Sequence, residues 1–120
     1  MPFARPVLPL LAVAALAVVD PAAAHTGLTS SSPRAGARVA ALPAVVVLQF
    51  SAPIRPVRVQ ITDRLGGGHV RRMRRDPRDA RRVRVRTRPG PAGRYTVRWR
   101  VLGPDGHLLT GTFRFTARRP

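Results

Sequence analysis

The sequence predicts an all-β fold, a sandwich or barrel, and three observations carry that prediction. Short apolar runs recur at close intervals with Gly, Pro and Asp between them. Within these runs apolar and polar residues alternate with a period of two, and no stretch sustains the 3.6-residue period of an amphipathic helix. The apolar content, 44%, is enough for a packed core, which separates this chain from a disordered basic tail.

The elements follow in chain order. Thr26 to Ser31 reads as a weak first strand that ends before a turn at Pro33. Val45 to Phe50 is a strand with Val46, Leu48 and Phe50 on one face. Val57 to Thr62 is the next, with Val57, Val59 and Ile61 inward and Arg58 and Gln60 outward. Asp63 to Gly68 has the composition of a hairpin loop, and Arg88 to Gly93 that of a Pro/Gly turn after a strand from Arg82 to Thr87. Tyr95 to Val101 alternates Tyr95, Val97, Trp99 and Val101 with Thr96, Arg98 and Arg100. Thr110 to Thr116 closes the fold with Phe113 and Phe115 inward, and no internal repeat interrupts this order.

Residues 1–24 read as a removable leader. Arg5 is followed by an apolar run from Val7 to Val19 and then by Ala22-Ala23-Ala24, the small-residue pattern of a secretory cleavage site. The run contains Pro9 and is shorter than the roughly 20 residues a membrane-spanning helix needs. No second run of spanning length follows, so residues 25–120 are expected to form one soluble, monomeric domain outside the cytoplasm, in a periplasm. Cleavage after Ala24 makes His25 the first residue and joins a free α-amine and an imidazole in one residue. The amine, with a pKa of about 7.7–8.0, gives up its proton readily when a metal ion competes for it. The alternative is a cleavage junction that precedes a histidine by coincidence.

The formal net charge is +17, carried by arginine with no lysine and no glutamate. Removal of the leader takes Arg5 and Asp20 together and leaves that balance unchanged. Such a charge raises nucleic acid or an anionic membrane as a partner. Around Arg84, Arg86, Arg98 and Arg100, however, arginine takes the outward slot of a period-two pattern and forms a solvated face. The densest run, Arg71 to Arg86, lacks the interleaved aromatics on which bases stack. Over-use of Ala, Gly, Pro and Arg fits a GC-rich coding bias, so no nucleic-acid partner is expected, while anionic lipid or surface polysaccharide stays open. The absence of cysteine excludes disulfides, zinc-thiolate sites, iron–sulfur clusters and thiol catalysis. No Gly-x-Ser-x-Gly elbow supports a serine hydrolase.

Only His25, His69 and His107 remain as imidazole ligands or bases. Asp105-Gly106-His107 lies in the segment that joins the last two strands. In extended backbone, residues two apart point to the same side, so the carboxylate and imidazole are expected to converge, with Gly106 offering no obstruction. Together with the amine and imidazole of His25 they make a set of three nitrogens and one oxygen. In a tetragonal array such donors suit Cu²⁺, the strongest binder of the divalent series. A structural hydrogen bond is the alternative for Asp105 and His107 taken alone.

Several motifs give the chain a family resemblance over essentially the whole of residues 25–120. Ser31-Ser32-Pro33 with Gly36, and Leu48-Gln49-Phe50-Ser51, are followed by Gly93-Arg94-Tyr95-Thr96-Val97-Arg98-Trp99. Then come Asp105-Gly106-His107 and Gly111-Thr112-Phe113-Arg114-Phe115. In order and spacing this resembles the G-x-Y-x-V-x-W, D-x-H and G-x-F-x-F pattern of the CopC family of periplasmic copper-binding proteins. The resemblance implies a small Greek-key β-sandwich or barrel, immunoglobulin-like or cupredoxin-like, with Cu²⁺ held by the N-terminal amine, His25, Asp105 and His107. Some members of the family carry a methionine-rich loop, with a histidine, that binds Cu⁺ at the opposite end. At the comparable place this chain offers only His69 and Met73 among arginines. A lone thioether is a poor Cu⁺ site, and His69 reads as a solvated loop residue.

The resemblance implies a metal-binding protein and not an enzyme. It would be an exported Cu²⁺ carrier or buffer for copper resistance and homeostasis, passing the ion to an inner-membrane importer of the CopD type. Two other classes compete. A copper-dependent oxidative enzyme could use the N-terminal histidine chelate, as lytic polysaccharide monooxygenases do, but it needs a second histidine in the brace and an open position that Asp105 would fill. A metal-free Ig-like adhesion domain would not respond to copper at all.

Overall fold

A computed structural model describes residues 27–120. The leader and His25 lie outside the described residues. Eight strands are present: β1 (Leu28–Ser32), β2 (Arg38–Val39), β3 (Val45–Phe50), β4 (Arg55–Thr62), β5 (Val70–Asp76), β6 (Asp79–Thr87), β7 (Gly93–Leu102) and β8 (Leu108–Ala117). They form two four-stranded sheets, ordered β1-β3-β6-β5 and β2-β8-β7-β4. The chain changes sheet at every connection from β1 to β5 and again between β6 and β7, which makes the sandwich that the alternation predicts and the Greek key that the family resemblance implies. All pairings are antiparallel except that of β2 with β8.

The inward faces meet as expected. Val46, Leu48 and Phe50 of β3, Val83 and Val85 of β6, and Tyr95, Val97, Trp99 and Val101 of β7 are all buried. Phe50 and Trp99 bridge the two sheets edge to face, with ring centroids 5.0 Å apart. Opposite Trp99, the β8 residue is Gly111, and a Cβ there would overlap the indole ring. The glycine is therefore a packing requirement of the tryptophan.

Three features depart from the sequence reading. Val57 was expected inward with Val59 and Ile61, but it is 47% exposed. A register shift between Pro56 and Arg58 against β7 resets the alternation at that point. The stretch from Val70 to Asp76, to which the sequence assigns no element, is a strand that pairs along β6 from Val70↔Thr87 to Asp76↔Asp79. Its inward side carries only Val70 and Met73, too few apolar residues to show a period. The third is β2, whose two residues leave no pattern to read.

Candidate metal centre

The β7–β8 hairpin turns over Gly103 to His107, closed by Gly103 N–H to His107 O at 2.9 Å and Gly106 N–H to Gly103 O at 3.0 Å. Gly106 has φ +82°, the left-handed region that glycine enters without strain. Asp105 and His107 converge as expected, but the cause is a turn and not extended backbone. Asp105 Oδ1 accepts the His107 backbone N–H at 3.0 Å, and Oδ2 faces His107 Nδ1 at 2.8 Å. This Asx turn folds the carboxylate onto the residue two places ahead. The backbone N–H of His107 and then its imidazole hold the Asp105 carboxyl below the usual carboxylate range. An ionised carboxylate only accepts, so Nδ1–H donates, and Nε2 is the ring nitrogen left for a metal.

Both side chains are open to solvent, Asp105 at 66% and His107 at 82%. Such a pair contributes little to folding, yet it is accessible to an ion. Arg55 and Arg75 line a hollow of about 330 Å³ beside the same turn, shared with Leu102, Pro104 and Gly106. Two donors do not hold a copper ion alone, and among the described residues no group of three His, Cys, Asp or Glu side chains comes together.

The described chain begins next to this turn. Gly27 O accepts the backbone N–H of Ser51 at 2.8 Å, which fixes the entry to β1. A Cβ built on Gly27 would lie 3.9 Å from Leu109 Cδ1, and one built on Gly103 would lie 3.5 Å from the same methyl. The start of β1 and the start of the Asp105 turn therefore flank one side chain. Nothing in the linear sequence marks Leu109 for this role.

His69 does not occupy the solvated position expected for it: it is buried, 8% exposed. Its Nε2 faces Asp63 Oδ2 at 2.7 Å, and its ring meets Tyr95 edge to face at 5.4 Å. Asp63 Oδ1 accepts the backbone N–H groups of Leu65 at 2.9 Å and Gly67 at 3.0 Å. The imidazole first, then these amides, keep the Asp63 carboxyl below its usual range. The β4–β5 loop folds over the end of the sandwich, and the Asp63 carboxylate is what draws His69 inward. The three glycines after Leu65 signal the turn, but only the folded chain pairs Asp63 with His69. Met73 packs against the core from β5, so neither residue is presented as a soft-metal ligand. Because β4 and β7 are antiparallel, this pair and Asp105–His107 lie at opposite ends of the sandwich.

Residues 28–118 match the CopC domain. The structure resembles CopC from Methylosinus trichosporium OB3b, with a TM-score of 0.71 and 31% identity over 78% of this chain and 94% of that one. It is also similar to PcoC, a methionine rich copper resistance protein from Escherichia coli, with a TM-score of 0.65 and 29% identity over 78% of this chain and 99% of that one. A search of curated proteins found no match. The domain match spans both sheets and the Asp105–His107 turn, and on that ground the chain belongs to the CopC family.

Proposed function

We propose that this protein is an exported Cu²⁺ carrier of the periplasm, which binds the ion through the amine and imidazole of His25 together with Asp105 and His107, after a leader of residues 1–24 is removed. Membership of the CopC family makes it a copper-binding, copper-resistance protein and not an enzyme, which sets aside the oxidative-enzyme and metal-free adhesion readings. The observation that carries the ligand set is that Gly27 and Gly103 both lie beside Leu109. His25 is two residues from Gly27, a reach of up to about 7 Å, and Gly27 and Gly103 flank the same methyl. The fit to copper rests on donor chemistry: a pre-oriented imidazole, an exposed carboxylate and an N-terminal chelate suit Cu²⁺. Asp105 either joins the ion directly or holds the His107 ring in place by its hydrogen bond to Nδ1, and its charge favours the cation in both cases. Reduction leaves Cu⁺ with hard and borderline donors and no sulfur, which gives a release step for delivery to an inner-membrane importer of the CopD type.

The test is a Cu²⁺ titration of protein beginning at His25 beside a variant carrying one extra residue before it. In the extended form the His25 nitrogen is an amide and the free amine is displaced by one residue, so it is expected to bind at least tenfold more weakly. Equal affinity overturns the ligand set, and mass spectrometry of the exported protein fixes the cleavage point on which it depends.

A further inference from the structure

The arginines are not uniformly placed, and one cluster is arranged in a way that coding bias does not explain. On the outer face of the β1-β3-β6-β5 sheet, Arg72 stands directly opposite Arg86, and Arg74 directly opposite Arg84. Like charges in directly opposed positions destabilise a strand pair. The nearby carboxylates relieve them only at Arg84. Asp76 and Asp79 gather around Arg82, at 3.4 Å and 3.3 Å, and only Asp76 reaches Arg84, at 3.9 Å. The guanidinium groups of Arg72, Arg74 and Arg86 have no ion pair or hydrogen bond among the described residues.

These four arginines and Val45 line a hollow of about 140 Å³ with a mainly polar wall. That is several times the roughly 15 Å³ that one water needs, so a small hydrated anion fits. Strand spacing sets the geometry. Neighbouring strands lie about 4.8 Å apart and residues two apart along a strand about 6.6 Å, so the four side chains rise from the corners of a small rectangle. Guanidinium forks on such a frame can approach a tetrahedral oxyanion from several sides and donate to it in pairs.

We propose that Arg72, Arg74, Arg84 and Arg86 form a binding site for a phosphate-class oxyanion, either free or carried on an anionic lipid headgroup. The bound anion supplies the countercharge that the sheet lacks. The site lies on a sheet face, away from the Asp105–His107 turn, and does not depend on the copper reading. On the other sheet Arg58 also stands opposite Arg100, but that is a single opposed pair, and Gln60, Thr110 and Thr112 are interleaved with the arginines.

Calorimetric titration of inorganic phosphate into the full processed protein, at constant ionic strength in chloride, tests the site. Arg72→Gln with Arg86→Gln is expected to weaken phosphate binding at least tenfold. Arg98→Gln with Arg100→Gln removes the same charge from the opposite face and is expected to change it less than twofold. Without phosphate, the first double variant should melt no lower than the parent, since a repulsion has been relieved, so lost binding is not lost folding. Equal weakening in both double variants, or no phosphate binding by the parent, overturns the proposal. Vesicles then identify the source. Co-sedimentation with phosphatidylglycerol but not phosphatidylcholine, competed by phosphate, assigns the lipid headgroup, and a parent that binds phosphate without co-sedimenting assigns the free anion.

Discussion

Asp105 and His107 show how a short-range interaction prepares a long-range one. Their hydrogen bonds select the His107 tautomer and fix its ring while leaving both side chains exposed. Because exposed positions change stability by only about ±0.5 kcal/mol, the two can be altered without unfolding the domain. His107→Ala is expected to lower Cu²⁺ affinity more than tenfold and change the copper EPR spectrum. Asp105→Asn should weaken binding while largely retaining the spectral shape. In both variants the metal-free melting temperature should stay close to the parent's, and unchanged copper titrations in both would move the site elsewhere. The motif was legible in the sequence because both residues belong to one turn. The Asp63–His69 pair was not, because nothing local distinguishes a histidine drawn inward by a carboxylate from one in solvent.

At the scale of elements, legibility follows the apolar period. Strand β3 and the centres of β7 and β8 were readable because each puts an uninterrupted alternating face on the core. The β5 strand was hidden because its partner, and not its own composition, holds it in the sheet. Val57 was misread because a bulge shifts the phase of β4 within one residue. Gly111 is the clearest cross-strand dependency, since the space above it is already filled by Trp99. Gly111→Ala is expected to cost about 1–3 kcal/mol as overpacking. For a domain of this size each kcal/mol corresponds to a drop of roughly 4–8 °C in melting temperature. A thermal melt that matches the parent would show that the indole moves aside freely.

For the molecule as a whole, a net charge of +17 must be reconciled with a compact fold. Among the described residues, the three aspartates away from the proposed copper site are all tied into structure. The His69 imidazole lowers Asp63, the Arg78 backbone N–H lowers Asp76, and the Arg81 backbone N–H lowers Asp79, each below the ordinary value of 3.8. A carboxyl lowered on folding contributes stability that is fully present above its unfolded value and lost as pH falls through the folded one. Chemical denaturation is therefore expected to show a plateau from neutral pH down to about pH 5 and a decline below about pH 4, partly reversed by added salt. Undiminished stability at pH 2 would show that these carboxylates do not help hold the fold. The fold class followed from periodicity alone, whereas the placement of the charge needed the strand register.

The fixed start of β1 has a consequence for how the proposed copper site would vary between individual molecules. A ligand tethered by so short a linker acts at a local concentration set by covalent reach, far above its concentration in solution. That advantage belongs only to chains whose first residue is His25. Cleavage one residue early or late would yield a protein with the same sandwich, the same Asp105–His107 turn and a different affinity. Copper capacity would then be decided by the accuracy of the peptidase, and a preparation with ragged N-termini would behave as a mixture of strong and weak binders that no measurement of folding could separate.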